Sequence, residues 1–253
     1  MRSESKAGGT APMDNRTVSR VVSILELVAA EQSGMTLTQL SRALDAPKSS
    51  VHGIVRTLEH SGYLFRSRST YHIGPSINGL AAASSTSVIE LAKPVIEKLA
   101  MDFDETVLLG TRVGEAVAYQ YFVESAQPVR FSPPRVRKSQ PRPSSIMKLY
   151  LAYRSVAERE SYLTSHILDA EERVTMDNEL ATVRATGFAY NRGETAAGLT
   201  AIAIGLFAES HLMAGISIAG PTDRMNPQLE RMADGLTAAN RQISDMLGHL
   251  DEA

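Results

Sequence analysis

The chain has 253 residues, 43% of them hydrophobic and 21% charged, which suits one or two domains and excludes wholesale disorder. It has no Cys, which excludes disulfides, iron–sulfur clusters, thiolate zinc sites and cysteine nucleophiles. No apolar run approaches the roughly 18 residues of a membrane span. The polar leader, residues 1–15, lacks a signal peptide's apolar block; it is expected to be disordered, and the chain to be soluble and cytoplasmic. The net charge of −2 is uneven: residues 1–77 carry nine Lys/Arg against six Asp/Glu, a balance of +3, and the remainder carries −5. A basic head on an acidic body suits a nucleic-acid reader joined to a separate sensor, although such a balance is also common on surfaces with no such role.

In chain order, Val18, Val21, Val22, Leu25 and Val28 fall at helical spacing, and Gly34 ends that element. Thr36 reads as the N-cap of a second helix carrying Leu37, Leu40 and Leu44. Pro47 suits the first position of a third helix, whose inward face is Val51, Ile54, Val55 and Leu58 and which closes at Gly62. Two short strand-like runs, 63–65 and 71–73, are joined by the basic loop 66–70. Three helices and a basic-tipped hairpin describe a winged helix-turn-helix over residues 16–77. An Ala/Ser-rich stretch follows, giving a helical linker over 78–90, and Leu91, Val95, Ile96 and Leu99 mark a further helix. Strands are expected at 107–113, 117–123, 128–131, 199–207 and 212–219, with helices at 144–153, 157–163, 171–186 and 228–249. The fold class is therefore α+β, with a second domain over 91–250.

The third helix carries the chemistry. Lys48, Ser49, Ser50, His52, Gly53, Arg56 and Thr57 face outward, all small or hydrogen-bonding. The second helix of a helix-turn-helix pair enters the major groove, where such side chains meet base edges and phosphates. Arg66 and Arg68 are placed at the wing tip, against backbone or minor groove. Any solvated helix can show such residues; the ordered series of elements is what favours double-stranded DNA.

The run Pro47-Lys48-Ser49-Ser50-Val51-His52, followed by Thr57-Leu58-Glu59 and Gly62-Tyr63, resembles the recognition helix of the isocitrate-lyase-regulator (IclR) family of bacterial transcription factors. Val123-Glu124-Ser125, Lys148 with Leu151-Ala152-Tyr153, Gly187-Phe188-Ala189, Glu194 with Gly198, and the run from Ser217 to Thr222 match in order, so the resemblance spans residues 16–248. It implies a winged-helix reader, a helical linker and a GAF-like effector-binding domain, in homodimers commonly paired as tetramers on palindromic or repeated operators. It implies an effector-responsive regulator, here a repressor of a catabolic operon. Gly53 replaces the family's usual Arg, removing one expected DNA contact.

In the effector pocket that the resemblance implies, the family's carboxylate falls on Asn191, its frequent Cys on Ala201, and its paired serines on Ser217 and Ala219. Ser144, Ser145, Ile146 and Met147 match a helix start whose N–H groups receive an effector carboxylate, a role that orphan N–H groups and the helix dipole can support. Met147 replaces a usual Gly. Tyr121-Phe122 replaces a charged pair, with Tyr119 and Phe131 nearby. Fewer polar groups and more aromatics shift the expected effector towards a larger, less polar, aromatic organic acid or derivative; the same aromatics equally suit simple packing of the sheet. The basic, Pro-rich stretch 130–142 reads as a solvated, mobile loop, or else as a gate for an anion or a subunit contact.

Catalytic readings find little. Ser145-Ile146-Met147-Lys148 fits S-x-x-K, but S-D-N and K-T-G are missing. Walker A, G-x-S-x-G, H-E-x-x-H and G-x-G-x-x-G are absent, and the six His lack metal-ligand spacing. No catalytic residue, metal or cofactor is expected. The alternatives are an enzyme in the second domain, or an adaptor whose winged helix contacts protein.

Overall fold

The computed structural model describes residues 16–83, 88–134, 136–138, 142–208 and 210–251. The leader 1–15, residues 84–87 of the expected linker and Arg135 of the basic stretch lie outside the described residues. The chain divides into two compact units, residues 1–83 and 84–253.

In the first unit, α1 (Arg16–Ala30), β1 (Met35–Thr36), α2 (Leu37–Ala43) and α3 (Lys48–His60) precede the hairpin β2 (Leu64–Ser67) and β3 (Thr70–Ile73), then α4 (Ser76–Ala83). The core is Ile24, Val28, Leu40, Val51, Val55, Leu58, Leu64 and Tyr71. The inward stripe of α1 is rotated from the expected one: Ile24 takes its centre, while Val18 and Val22 are 57% and 49% exposed. Thr36 caps α2 reciprocally with Gln39, whose side chain accepts the Thr36 N–H at 2.8 Å. Pro47 sits one position earlier than expected, at the N-cap of α3, where its carbonyl accepts from the N–H groups of Ser50 and Val51. The wing is tighter than expected. Its turn is Arg68-Ser69, with Arg68 at φ 55°, so Arg66 belongs to β2 rather than the tip. The two-residue β1, not expected, pairs with β3 to complete a three-stranded sheet.

The second unit opens with α5 (Val88–Phe103), β4 (Thr106–Val113), β5 (Ala116–Val123) and the short β6 (Val136–Lys138). Then come α6 (Ser145–Ala152), α7 (Val156–His166), α8 (Ala170–Thr186), β7 (Phe188–Arg192), β8 (Leu199–Ala208) and β9 (His211–Pro221). It ends with α9 (Thr222–Met225), a 3-10 turn (Asn226–Gln228) and α10 (Leu229–Asp251). The strands form one antiparallel sheet in the order β6-β5-β4-β9-β8-β7. Residues 128–131 are not a strand: side chains take their carbonyls, Thr106 Oγ1 donating to Phe131 O at 2.6 Å and Arg224 to Val129 O at 2.9 Å.

The two faces of this sheet differ in bulk. On one, Val107, Leu109, Ile202, Ile216 and Ile218 pack against α5 and α10. On the other, Ala189, Ala201, Ala203 and Ala219 meet α6, α7 and α8. A Cβ at Gly110 or Gly215 would lie 3.0 Å from Ile146, so these two glycines let α6 seat directly on β4 and β9. This is the helices-on-both-faces architecture of a GAF-like domain.

Candidate functional site

On α3, Val51, Val55 and Leu58 are buried, leaving Lys48, Ser49, His52, Gly53, Arg56 and Thr57 exposed in one row. No acidic residue interrupts it from Lys48 to Thr57. Ser50 is half-buried, and Arg20 of α1 donates to its Oγ at 3.5 Å, which brings one more cation beside the start of α3. Arg68 is exposed at the wing tip. Arg66 is exposed but engaged: its Nε donates to Arg68 O at 3.0 Å, and its guanidinium lies 5.8 Å from the centre of the Tyr71 ring. Beside it Phe65, 47% exposed, stacks on His72 at 5.2 Å.

In the second unit a cleft of about 310 Å³, open mouth included, lies at the start of α6. Strand register assembles one wall: Asn191, Ala201 and Ala219 are consecutive partners across β7, β8 and β9, and Ser217 follows on the same face. Ser144, Ser145 and Ile146 form the helix end, and Tyr119 and Phe131 close the side. The lining contains no charged side chain.

Hydrogen bonds order this polar end. Ser144 Oγ accepts from the Met147 N–H at 3.3 Å as the N-cap. Ser217 Oγ donates to Ile202 O at 3.0 Å and lies 3.2 Å from Ser145 Oγ, so Ser145 donates to Ser217. Asn191 is 2% exposed, and its Nδ2 donates to Thr195 Oγ1 at 2.9 Å. Its Oδ1 is buried and accepts nothing. The N–H groups of the first turn of α6 have no i−4 carbonyl to pair with.

Two assemblies hold the cleft. Lys148, with no exposed surface, donates to Glu179 Oε1 at 2.6 Å, Tyr190 O at 2.7 Å and Glu194 Oε1 at 3.1 Å. All three ammonium protons are thereby used, and α6 is fastened to α8, β7 and the loop 193–198. Glu194 Oε2 also accepts the Arg192 N–H at 2.8 Å. The segment carrying Phe131 is strapped by Glu124, which accepts from Arg130 Nε and Ser132 Oγ, each at 2.9 Å. Arg224 completes the strap through two bonds to the buried Glu105 and one to Val129 O. The expected mobile basic loop is thus anchored at Arg130, and Arg142 pairs with Glu172.

Nine of the eleven residues expected in the pocket line the cleft. Met147 and Tyr121 do not. Met147 is buried in the core between α6 and its neighbours. Tyr121 lies on the opposite face of the sheet and donates to Glu97 at 2.7 Å, a bond that raises the phenol above the usual tyrosine range. A bulge explains this: Gly110 pairs with Tyr119 and Leu109 with Tyr121, so Gln120 is the extra residue and the alternation breaks. Leu108, Thr195 and Leu199 line the cleft without having been expected there. Thr195 had a signal, since it stands between Gly193 and Gly198, both at positive φ, in a loop ending at β8.

The description "IclR helix-turn-helix domain" matches residues 17–67, and "Bacterial transcriptional regulator IclR C-terminal" matches residues 80–245. The chain belongs to the IclR family. This family comprises DNA-binding transcriptional regulators, not enzymes. The IclR chain is 31% identical to the regulator BhcR of Paracoccus denitrificans over 96% of its own length and 92% of that protein's. It is 26% identical to the acetate operon repressor of Salmonella typhimurium, over 88% and 87%. Among solved structures it resembles an IclR regulator from a Silicibacter species, at TM-score 0.74 and 22% identity over 92% and 96%. It also resembles an IclR homologue from Microbacterium hydrocarbonoxydans complexed with 4-hydroxybenzoate, at TM-score 0.58 and 20% identity over 90% and 98%. No described helix of this IclR chain is long and apolar enough to cross a membrane, and the described residues hold no His/Asp/Glu cluster able to bind a metal.

Proposed function

We propose that this IclR regulator is a cytoplasmic, effector-responsive repressor of a catabolic operon, released or altered by a small organic acid. Residues 16–77 form the DNA reader, 78–90 the helical link and 91–250 the sensor. Lys48, Ser49, Ser50, His52 and Arg56 contact the operator, with Arg68 and Arg66 on the wing. The observation that carries this reading is the exposed, acid-free row from Lys48 to Arg56, backed by a complete helix-turn-helix core.

The cleft at the start of α6 is the effector site, with an acid group at the Ser144/Ser145 helix end and the less polar body against Tyr119 and Phe131. Tyr121 and Met147 are left out of it. An aromatic acid agrees with these walls and with the 4-hydroxybenzoate of the Microbacterium homologue. Exposed Val22 and Leu80 support pairing of two chains, as a homodimer or a dimer of dimers, which presents two readers to one DNA face. The effector then needs only a few kcal/mol of preference for one arrangement of the readers to change operator occupancy.

Gel-shift titration of the natural promoter fragment tests the reader. Arg56→Ala should weaken binding by about 1–3 kcal/mol with unchanged unfolding temperature, and unchanged affinity would refute the assignment. Replacing Ser144 and Ser145 with Trp should abolish induction in a reporter strain while DNA binding survives; retained induction would exclude this pocket.

A further inference from the structure

The cleft has two polar ends of opposite demand. At the start of α6 it offers donors: the unpaired first-turn N–H groups and the Ser144 hydroxyl, whose oxygen already accepts from Met147. Across the β7-β8-β9 wall it offers an acceptor. Asn191 is 2% exposed and its Nδ2 is committed to Thr195 Oγ1, so its Oδ1 is a buried carbonyl oxygen with no donor. The neighbouring lining residues Ala201, Ala219 and Leu199 can supply none from their side chains. A buried acceptor left unmatched is costly, and the cost is relieved by any occupant that brings a proton to it.

We propose that Asn191 is the specificity-determining residue of this site, and that its ligand is a small acid bearing a neutral O–H or N–H donor remote from the carboxylate. The carboxylate meets the α6 end, and the donor meets Asn191 Oδ1. No charged side chain lines the cleft, so the acid is recognised by hydrogen-bond direction and not by a counter-cation. An acid lacking the distal donor leaves Oδ1 buried and unmatched. An acid carrying only an acceptor there, such as a methyl ether, sets two lone pairs against each other. This assignment rests on the cleft being the effector site.

The test is isothermal titration of the full-length protein with matched acids: 4-hydroxybenzoate, benzoate and 4-methoxybenzoate, and 4-hydroxybutyrate with butyrate. In the wild type the hydroxy acid of the binding series should bind at least about tenfold more tightly than its hydroxyl-free counterpart. In Asn191→Leu the two should agree within about twofold. Asn191→Asp keeps an acceptor and should keep the preference, which separates the chemistry from a folding defect. Equal wild-type binding of hydroxy, hydrogen and methoxy acids, all abolished when Ser144 and Ser145 are replaced with Trp, would overturn the role of Asn191 while leaving the pocket in place. Binding that survives filling the cleft, or no binding in either series, would overturn the pocket and this assignment with it.

Discussion

Lys148→Met tests how the effector unit is held together. The substitution keeps an unbranched stem and removes a fully buried ammonium bonded to Glu179, Glu194 and the Tyr190 carbonyl. Removing one partner of a buried ion pair costs about 3–5 kcal/mol when the other charge is left without water. Here the glutamate side chains are 31% and 23% exposed, so both rehydrate in part. The Tyr190 carbonyl loses its donor as well, and the balance is a loss of about 2–4 kcal/mol. For a unit of this size each kcal/mol moves the unfolding midpoint by about 2–4 °C, which gives a fall of roughly 5–15 °C. Calorimetry of the full chain reads it, and a double-mutant cycle with Glu194→Gln isolates the pair. A fall below about 2 °C, or strictly additive single effects, would refute the view that Lys148 fastens α6 to the 193–198 loop.

A Cβ at Gly53 meets nothing within 4 Å, so Gly53→Ala should stabilise the reading unit by about 0.5–1 kcal/mol through helix propensity alone; an unchanged or lower denaturant midpoint would contradict the open environment. Glu124 is held below the usual carboxylate range, first by the hydrogen bond from Arg130 and then by that from Ser132. A depressed folded-state pKa means the Glu124 contribution is complete above the unfolded glutamate value and lost as pH falls through the lower folded one. NMR titration of its side-chain carboxyl should give a midpoint below that of an ordinary glutamate, returning upward in Arg130→Ala; an identical midpoint in both would remove the strap's electrostatic basis.

The reading helix was legible because its apolar spacing, its starting Pro47 and its closing Gly62 agree on one element. In α1, five apolar residues at helical intervals fit two adjacent stripes, and only packing against Leu40 and Val55 selects the one through Ile24. β7 escaped because Asn191 and Arg192 end its apolar pattern, yet Asn191 belongs there as a wall residue. Tyr119 and Tyr121 are two apart and should share a face, but the bulge at Gln120 separates them. Phe131 was placed correctly in the cleft although its strand was not. Tertiary bonds from Thr106 and Arg224 fix its backbone, and those partners are 25 and 95 residues from the carbonyls they bind.

The location of the cleft follows from side-chain volume. On β4, β8 and β9, bulky Val, Ile and Leu residues face α5 and α10, while apart from Leu108 the α6 face carries mostly Gly, Ala and Ser. Gly110 and Gly215 bring α6 onto the sheet at Ile146. Beyond that contact the helix simply begins, and Asn191, Ala201 and Ala219 are too small to fill the space before its end. A helix terminus facing a small-residue wall leaves unpaired N–H groups opposite an unpaired carbonyl oxygen. An anion held there has the dipole and hydrogen bonds but no counter-cation, and such an end contributes of the order of 1 kcal/mol rather than the several that a buried ion pair can supply. Under the proposed reading, discrimination between acids then falls to the neutral donor–acceptor match at Asn191.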